Sequence, residues 1–180
     1  MMGQQYTEIS EKHTQFIAEQ KLFFVATAAA EGRVNLSPKG MDSLRVLGPN
    51  RVVWLNVTGS GNETSAHIQQ NPRMTLMFCA FDGAPLILRL YGKARVIHPA
   101  NPEWDALMPH FAALPGARQI FDLTVDLVQA SCGLAIPYYH YAGERELLND
   151  WAKTKGPAGL REYWAQKNQL SIDGLATGIL

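Results

Sequence analysis

The sequence predicts a mainly β protein: one antiparallel sheet closing into a barrel, with short helices at both ends. Three observations carry this. Apolar runs with period-two alternation follow one another across hairpin-type turns. Strand and helix patterns do not alternate along the chain, which disfavours a parallel α/β sheet. Stretches with helical spacing gather mostly near the termini. About six such strands can remove their exposed edges by closing on themselves.

The elements read in order as follows. Thr7 to Gln20 place Ile9, Phe16 and Ile17 among polar neighbours, which predicts a short amphipathic helix. KLFFVATAAA (21–30), the Glu31-Gly32 turn and RVNLSPKG (33–40) form a hairpin pattern. Leu44–Leu47 and Val52–Val57 form a second one across Gly48-Pro49-Asn50. Asn62 is placed to cap a helix from Glu63 to Gln70, which Asn71-Pro72 ends, because the residue before proline is pushed out of the helical region. Arg73–Phe81 and Leu86–His98 read as long strands joined by Asp82-Gly83-Ala84-Pro85. NPEWDALMPHFAALPGARQIF (101–121) mixes helical spacing with three prolines and reads as one or two short helices outside the sheet. FDLTVDLVQASCGLAIP is the last strand, and helix formers flank the Gly156-Pro157 breaker near the C-terminus.

A chain of 180 residues supports one core, so a single domain over 1–180 is expected, with a barrel at about 21–137 and a helical extension at about 138–180. Hydrophobic content of 47% and charged content of 18% are those of a globular protein. Sixteen basic residues against sixteen acidic ones leave no net field to attract nucleic acid or an anionic membrane, so any anion must be held locally. Cys79 and Cys132 lie in apolar runs without a CxxC spacing, which implies buried thiols in a reducing compartment. The N-terminal stretch has no signal-peptide core, and no run is long enough to span a membrane; a cytoplasmic location is expected.

Chemistry concentrates in the break between two apolar segments, TGSGNETS (58–65). Small residues let a backbone approach a ligand, and a helix start offers unpaired N–H groups, which together suit a phosphate. A flexible turn followed by a capped helix is the alternative. Glu63 opposes the anion reading, because a carboxylate in the first turn takes the favourable dipole position itself. A phosphate there needs a cation from elsewhere, with Lys39 and Arg73 as candidates. Arg89 shares a face with Ile87 and Tyr91 in an apolar strand, as an ion pair or a ligand contact. The five histidines show no metal-ligand spacing and neither cysteine has a histidine partner, so no metal site is expected and chemistry would come from an organic cofactor.

Taken in order, VNLSPKG, then VVWLNVTGSGNETSAHIQQNPRMTLMF, then LRLYGKARVI resemble the pyridoxamine 5′-phosphate oxidase-like family of flavin-binding split β-barrels. The likeness runs from about Phe23 to Ile97, with a looser continuation through ASCGLAIPYYHYAGER and KNQLSIDGL. It implies a six-stranded antiparallel split barrel and a homodimer with FMN at the subunit interface. Transferred residue by residue, it implies FMN contacts from Asn35, Ser37 and Lys39, from Leu55 and Asn56 at a strand end, and from Asn62, Thr64 and Ser65 at the helix start. The family's best-known oxidases carry two adjacent basic residues near that helix start, where this chain has Glu63-Thr64. The C-terminal region also lacks their pyridoxine-phosphate pattern, so the vitamin B6 activity is not expected. The implied function is an FMN-dependent oxidoreductase passing hydride through flavin N5 to or from a small molecule, with Arg89, Tyr91 and Arg145 as substrate contacts. A non-catalytic flavin- or haem-binding module and a deazaflavin-dependent reductase are the alternatives.

Overall fold

The computed structural model describes residues 3–180. A short strand β1 (Gln4–Tyr6) precedes helix α1 (Glu11–Glu19), which begins four residues later than its apolar spacing suggests. Ser10 sets that start: its hydroxyl accepts from His13 N at 3.3 Å, while His13 Nδ1 accepts from Ser10 N at 3.2 Å, a reciprocal cap. Strands β2 (Phe23–Thr27) and β3 (Asn35–Lys39) form the first hairpin, with Phe23 opposite Lys39. Strands β4 (Leu44–Gly48) and β5 (Arg51–Val57) form the second, followed by α2 (Glu63–Gln70), β6 (Arg73–Cys79) and β7 (Ile87–Ile97). A short helix α3 (Trp104–Leu107) runs into a 3₁₀ turn (Met108–His110) before the long strand β8 (Ala117–Ser131). The last helix, α4 (Leu147–Lys167), is broken at Gly156, whose φ of 65° lies in the left-handed region that glycine tolerates.

The ladder runs β3-β2-β6-β7-β8-β5-β4, all antiparallel, and β1 pairs with β8 as an eighth strand. Two expectations are corrected here. The sheet holds eight strands rather than six, and it is not closed, because β3 and β4 end the ladder without pairing. β1 is added to the sheet because β8 is long enough to pair β5 along its first half and β1 near its end, both on the edge away from β7. β8 also begins at Ala117, inside the stretch expected to be helical; the Leu114-Pro115-Gly116 break frees it to pair Ala117 with Val57.

The sheet nevertheless curls. Phe23 of β2 and Trp54 of β5 are separated by three intervening strands, yet their ring centroids are 6.1 Å apart. The interior they share is filled by Val25, Leu76, Phe78, Leu90 and Leu123, with α1 closing one end through Ile17. Truncating any of the fully buried leucines to alanine costs ~2–5 kcal/mol. The opposite face of β5 and β8 is covered too: Val53, Leu55 and Ile120 pack against Leu107 and Phe111. Burial on both faces is why β5 reads as a continuous apolar run. Cys79 is buried, Cys132 is half-buried, and both are unpaired. Among the described residues no helix is long and apolar enough to cross a membrane.

Candidate functional site

β3 is an edge strand with an unusual alternation. Asn35, Ser37 and Lys39 are half-buried, while Leu36 and Pro38 between them are exposed. Its polar face therefore looks inward, towards the end of β5, the loop 58–62, α2 and the start of β8. These elements enclose a cavity of about 570 Å³, within the range of small-molecule and cofactor sites.

The loop is held by residues at the start of β8 and in the C-terminal segment. Thr58 donates its N–H to Gly116 O at 2.7 Å, and its Oγ1 accepts from Trp164 Nε1 at 2.9 Å. Asn168 Nδ2 donates to Gly59 O at 3.2 Å and Ser60 O at 3.3 Å, and Arg118 Nη2 donates to Gly61 O at 2.7 Å. Asn168 Oδ1 in turn accepts from Arg118 Nη1 at 2.8 Å.

Arg33, Lys39, Arg118 and the carboxylate of Glu63 line this cavity; Arg33 pairs with Asp173, while among the described residues Lys39 and Arg118 are bonded to no carboxylate. Arg118 is only 2% exposed, and burial pushes it down to about 10. Lys39 falls to about 8, first through burial and then through the charge of Arg118, and its Nζ sits 5.5 Å from the centroid of the Trp54 ring. Among the described residues neither forms an ion pair. Burying a cation unpaired is costly, and an anion entering the cavity would offset that cost. A second sign is the distribution of unsatisfied groups. Five buried side-chain polar atoms lack a partner among the described residues, and four belong to residues lining this cavity: Asn56 Oδ1, Asn62 Nδ2, His67 Nε2 and Arg118 Nε. Buried polar groups are ordinarily satisfied, so such a cluster marks where a ligand's polar atoms belong.

Of the residues expected to meet a cofactor, Asn35, Ser37, Lys39, Asn56, Asn62 and Thr64 line the cavity. Asn35 Nδ2 donates to Thr64 Oγ1 at 3.2 Å and Ser37 Oγ to Asn35 Oδ1 at 2.9 Å, tying β3 to α2. Leu55 and Ser65 lie elsewhere. Leu55 belongs to the second apolar cluster. The Ser65 hydroxyl donates to Thr177 O at 2.6 Å and accepts from Gln119 Nε2 at 2.9 Å, so its proton is engaged within the fold. Asn62 sits at the N-cap position of α2 but makes no side-chain cap, because its Oδ1 takes Asn56 Nδ2 instead. Glu63 is explained by the chain's end: both carboxylate oxygens accept from Ile172 N at 3.1 Å. The carboxylate that opposed an anion in the sequence is engaged by the C-terminal segment.

The expected substrate contacts are not brought together. Arg89 donates to Ser131 Oγ and Tyr91 to Gln129 Oε1, each at 3.1 Å, on the neighbouring strand β8. Tyr91 and Arg73 border a separate cavity of about 440 Å³, while Arg145 is exposed in the segment before α4. Arg73 is bonded to Asn71 Oδ1 and does not line the main cavity.

The family described as pyridoxamine 5′-phosphate oxidase matches residues 9–132, more than two thirds of the chain. The chain belongs to the pyridoxamine 5′-phosphate oxidase family. The pyridoxamine 5′-phosphate oxidase family protein ustO of Aspergillus flavus is 35% identical over 188 residues, covering 94% of this chain and 76% of that protein. Among solved structures, HutZ, the haem storage protein of Vibrio cholerae, has a TM-score of 0.50 at 17% identity, over 70% of this chain and 97% of its own. The FAD-binding protein of Mycobacterium smegmatis has a TM-score of 0.50 at 13% identity, with coverages of 70% and 97%. At such identities the likeness shows the fold.

Within the family match the sequence reading missed Arg118 and His67. Arg118 was legible only as a charge in GARQIF, read there as part of a helix, and its register on β8 is what turns it onto the loop carbonyls. His67 lies one turn into α2 with Nδ1 3.1 Å from Thr27 Oγ1, a contact across forty positions that no local pattern announces. Asn168, Ile172 and Thr177 lie beyond the match, and they brace the cavity walls from there.

Proposed function

We propose that this chain is a flavoprotein that binds FMN with its phosphate in the cavity between β3, the 58–62 loop and α2. One observation carries the reading: a buried arginine and a half-buried lysine without ion-pair partners, and four residues with unpaired buried polar atoms, line a single cavity. A phosphate monoester supplies the missing charge, and the cavity volume accommodates the rest of a cofactor. The fold shared with an FAD-binding protein supports a flavin.

Lys39 and Arg118 would hold the phosphate, with Asn62 Nδ2 as a further donor. Asn56 and His67 would offer their unpaired atoms to the cofactor's polar groups. When bound, the flavin supplies hydride transfer at N5, which defines an oxidoreductase of a small molecule. The chain's own residues bind, orient and exclude water. Arg89 and Tyr91 belong to this proposal as substrate contacts only if a second copy covers the face of β7, and Arg145 only if its segment folds over it. That second copy is itself part of the proposal: Val34, Leu36 and Ile172, 73%, 62% and 71% exposed, line the main cavity with apolar surface. A homodimer placed there would shield it.

The absorption spectrum of the purified protein and a fluorescence titration with FMN test the cofactor. Flavin bands and saturable quenching are expected; a Soret band, in keeping with the haem-storage relative in fold, or a preference for a deazaflavin replaces this reading. Sedimentation tests the dimer, with a monomer at micromolar concentration counting against it.

A further inference from the structure

Beyond the two cations, the loop before α2 has an organised backbone. The carbonyls of Gly59 and Ser60 accept from Asn168 Nδ2, and that of Gly61 from Arg118 Nη2. In a trans peptide the carbonyl and the N–H that follows point in opposite directions, and no cis bond is present among the described residues. The amides of Ser60, Gly61 and Asn62 are therefore turned away from Asn168 and Arg118. Among the described residues none of the three donates a hydrogen bond within the chain, and all three residues line the cavity. Successive free amides of this kind make an anion-binding concavity.

Asn168 is the hub of this arrangement. It is completely buried, its N–H donates to Trp164 O, its carbonyl accepts from Thr177 Oγ1, and its side chain bonds Arg118 and both loop carbonyls. With Nη1 on Asn168 and Nη2 on Gly61, the guanidinium is fixed, and Nε is its one nitrogen without a partner among the described residues. We propose that Asn168, which lies outside the family match, is a positioning residue for phosphate: it orients Arg118 and holds the 60–62 amides free. This rests on the FMN reading above and adds to it the residue that shapes the phosphate end.

FMN and riboflavin differ only in the phosphate, so the ratio of their dissociation constants isolates those contacts from the rest of the fold. The wild-type protein should prefer FMN by ~100-fold. Asn168→Ala should leave riboflavin binding within ~twofold and cut the ratio by ~tenfold. Asn168→Asp should cut it further, because a carboxylate beside Arg118 neutralises the cation the phosphate needs. An unchanged ratio in both variants overturns the role of Asn168 while leaving the FMN reading intact. A wild-type protein that binds both ligands equally, or neither, overturns the phosphate reading itself. Should the variants fail to fold, amide spectra of the wild-type protein titrated with inorganic phosphate decide: the Ser60, Gly61 and Asn62 signals are expected to move most, and their indifference overturns the proposal.

Discussion

β8 carries two charged clusters four residues apart, and they are built on opposite terms. Asp122 is buried and accepts from Arg51 Nε at 3.0 Å and from Arg95 Nη2 at 2.9 Å; Arg95 also reaches Glu103 at 2.7 Å. Every charge there has a partner, and both arginines keep about half their side chain in water. Arg118, at the strand's start, is buried with neutral partners only, beside the equally uncompensated Lys39. A balanced cluster needs nothing more and serves the fold. An unbalanced one is held in place by the surrounding structure, and under the proposed function a ligand's negative charge would complete it.

The difference can be broken from either side. The largest effect is expected from Arg118→Met, which should weaken FMN binding by ~100-fold, since a charge-assisted contact is worth about 1.5–3 kcal/mol. Its melting temperature should fall only modestly, because the loss of an unpaired buried cation offsets part of the cost of leaving Asn168 Oδ1 and Gly61 O without their donor. Asp122→Asn should show the reverse: a loss of ~2 kcal/mol in urea unfolding with FMN affinity unchanged. Equal losses of both properties in both variants would erase the distinction.

Lys39 sharpens the comparison through pH. The folded, ligand-free chain releases its proton near about 8, whereas the unfolded chain holds it up to the ordinary lysine range. The unfolded state thus binds more protons in that window. Stability of the ligand-free protein should rise with pH across it, and that contribution is lost as pH falls through about 8. FMN affinity should run the other way, falling ~tenfold between pH 7 and 9, and Lys39→Met should flatten both curves. Parallel curves for this variant and the wild-type protein would remove Lys39 from the site. The smallest effect is expected at Glu63. Glu63→Gln removes a negative charge near the anion, so FMN should bind about two- to fivefold more tightly, while the C-terminal segment becomes easier to digest with carboxypeptidase. Weaker FMN binding instead would make the grip on Ile172 the dominant role of that carboxylate.

Much of the fold was legible in the chain. The apolar runs at 21–30, 73–81 and 86–98 and the breaks at Gly48-Pro49 and Asn71-Pro72 locate strands and turns because such signals act over a few residues. The eighth strand escaped, since QQY has no pattern of its own and becomes a strand only by pairing with β8. Closure escaped for the same reason: whether β3 meets β4 depends on the curl of the whole sheet.

At the site, the segments NLSPKG and GSGNETS by themselves determined which stretches of chain supply polar groups, because small and hydrogen-bonding residues between apolar strands form turns, caps or ligand contacts. Only the tertiary structure decided which of those groups remain free. Ser65 is bonded to Thr177 and Glu63 to Ile172, while Arg118 and Lys39 meet in one cavity from two strands far apart in the chain. Whether a charge is compensated depends on what lies within a few ångströms of it, and for residues separated by a hundred positions that neighbourhood exists only once the chain has folded.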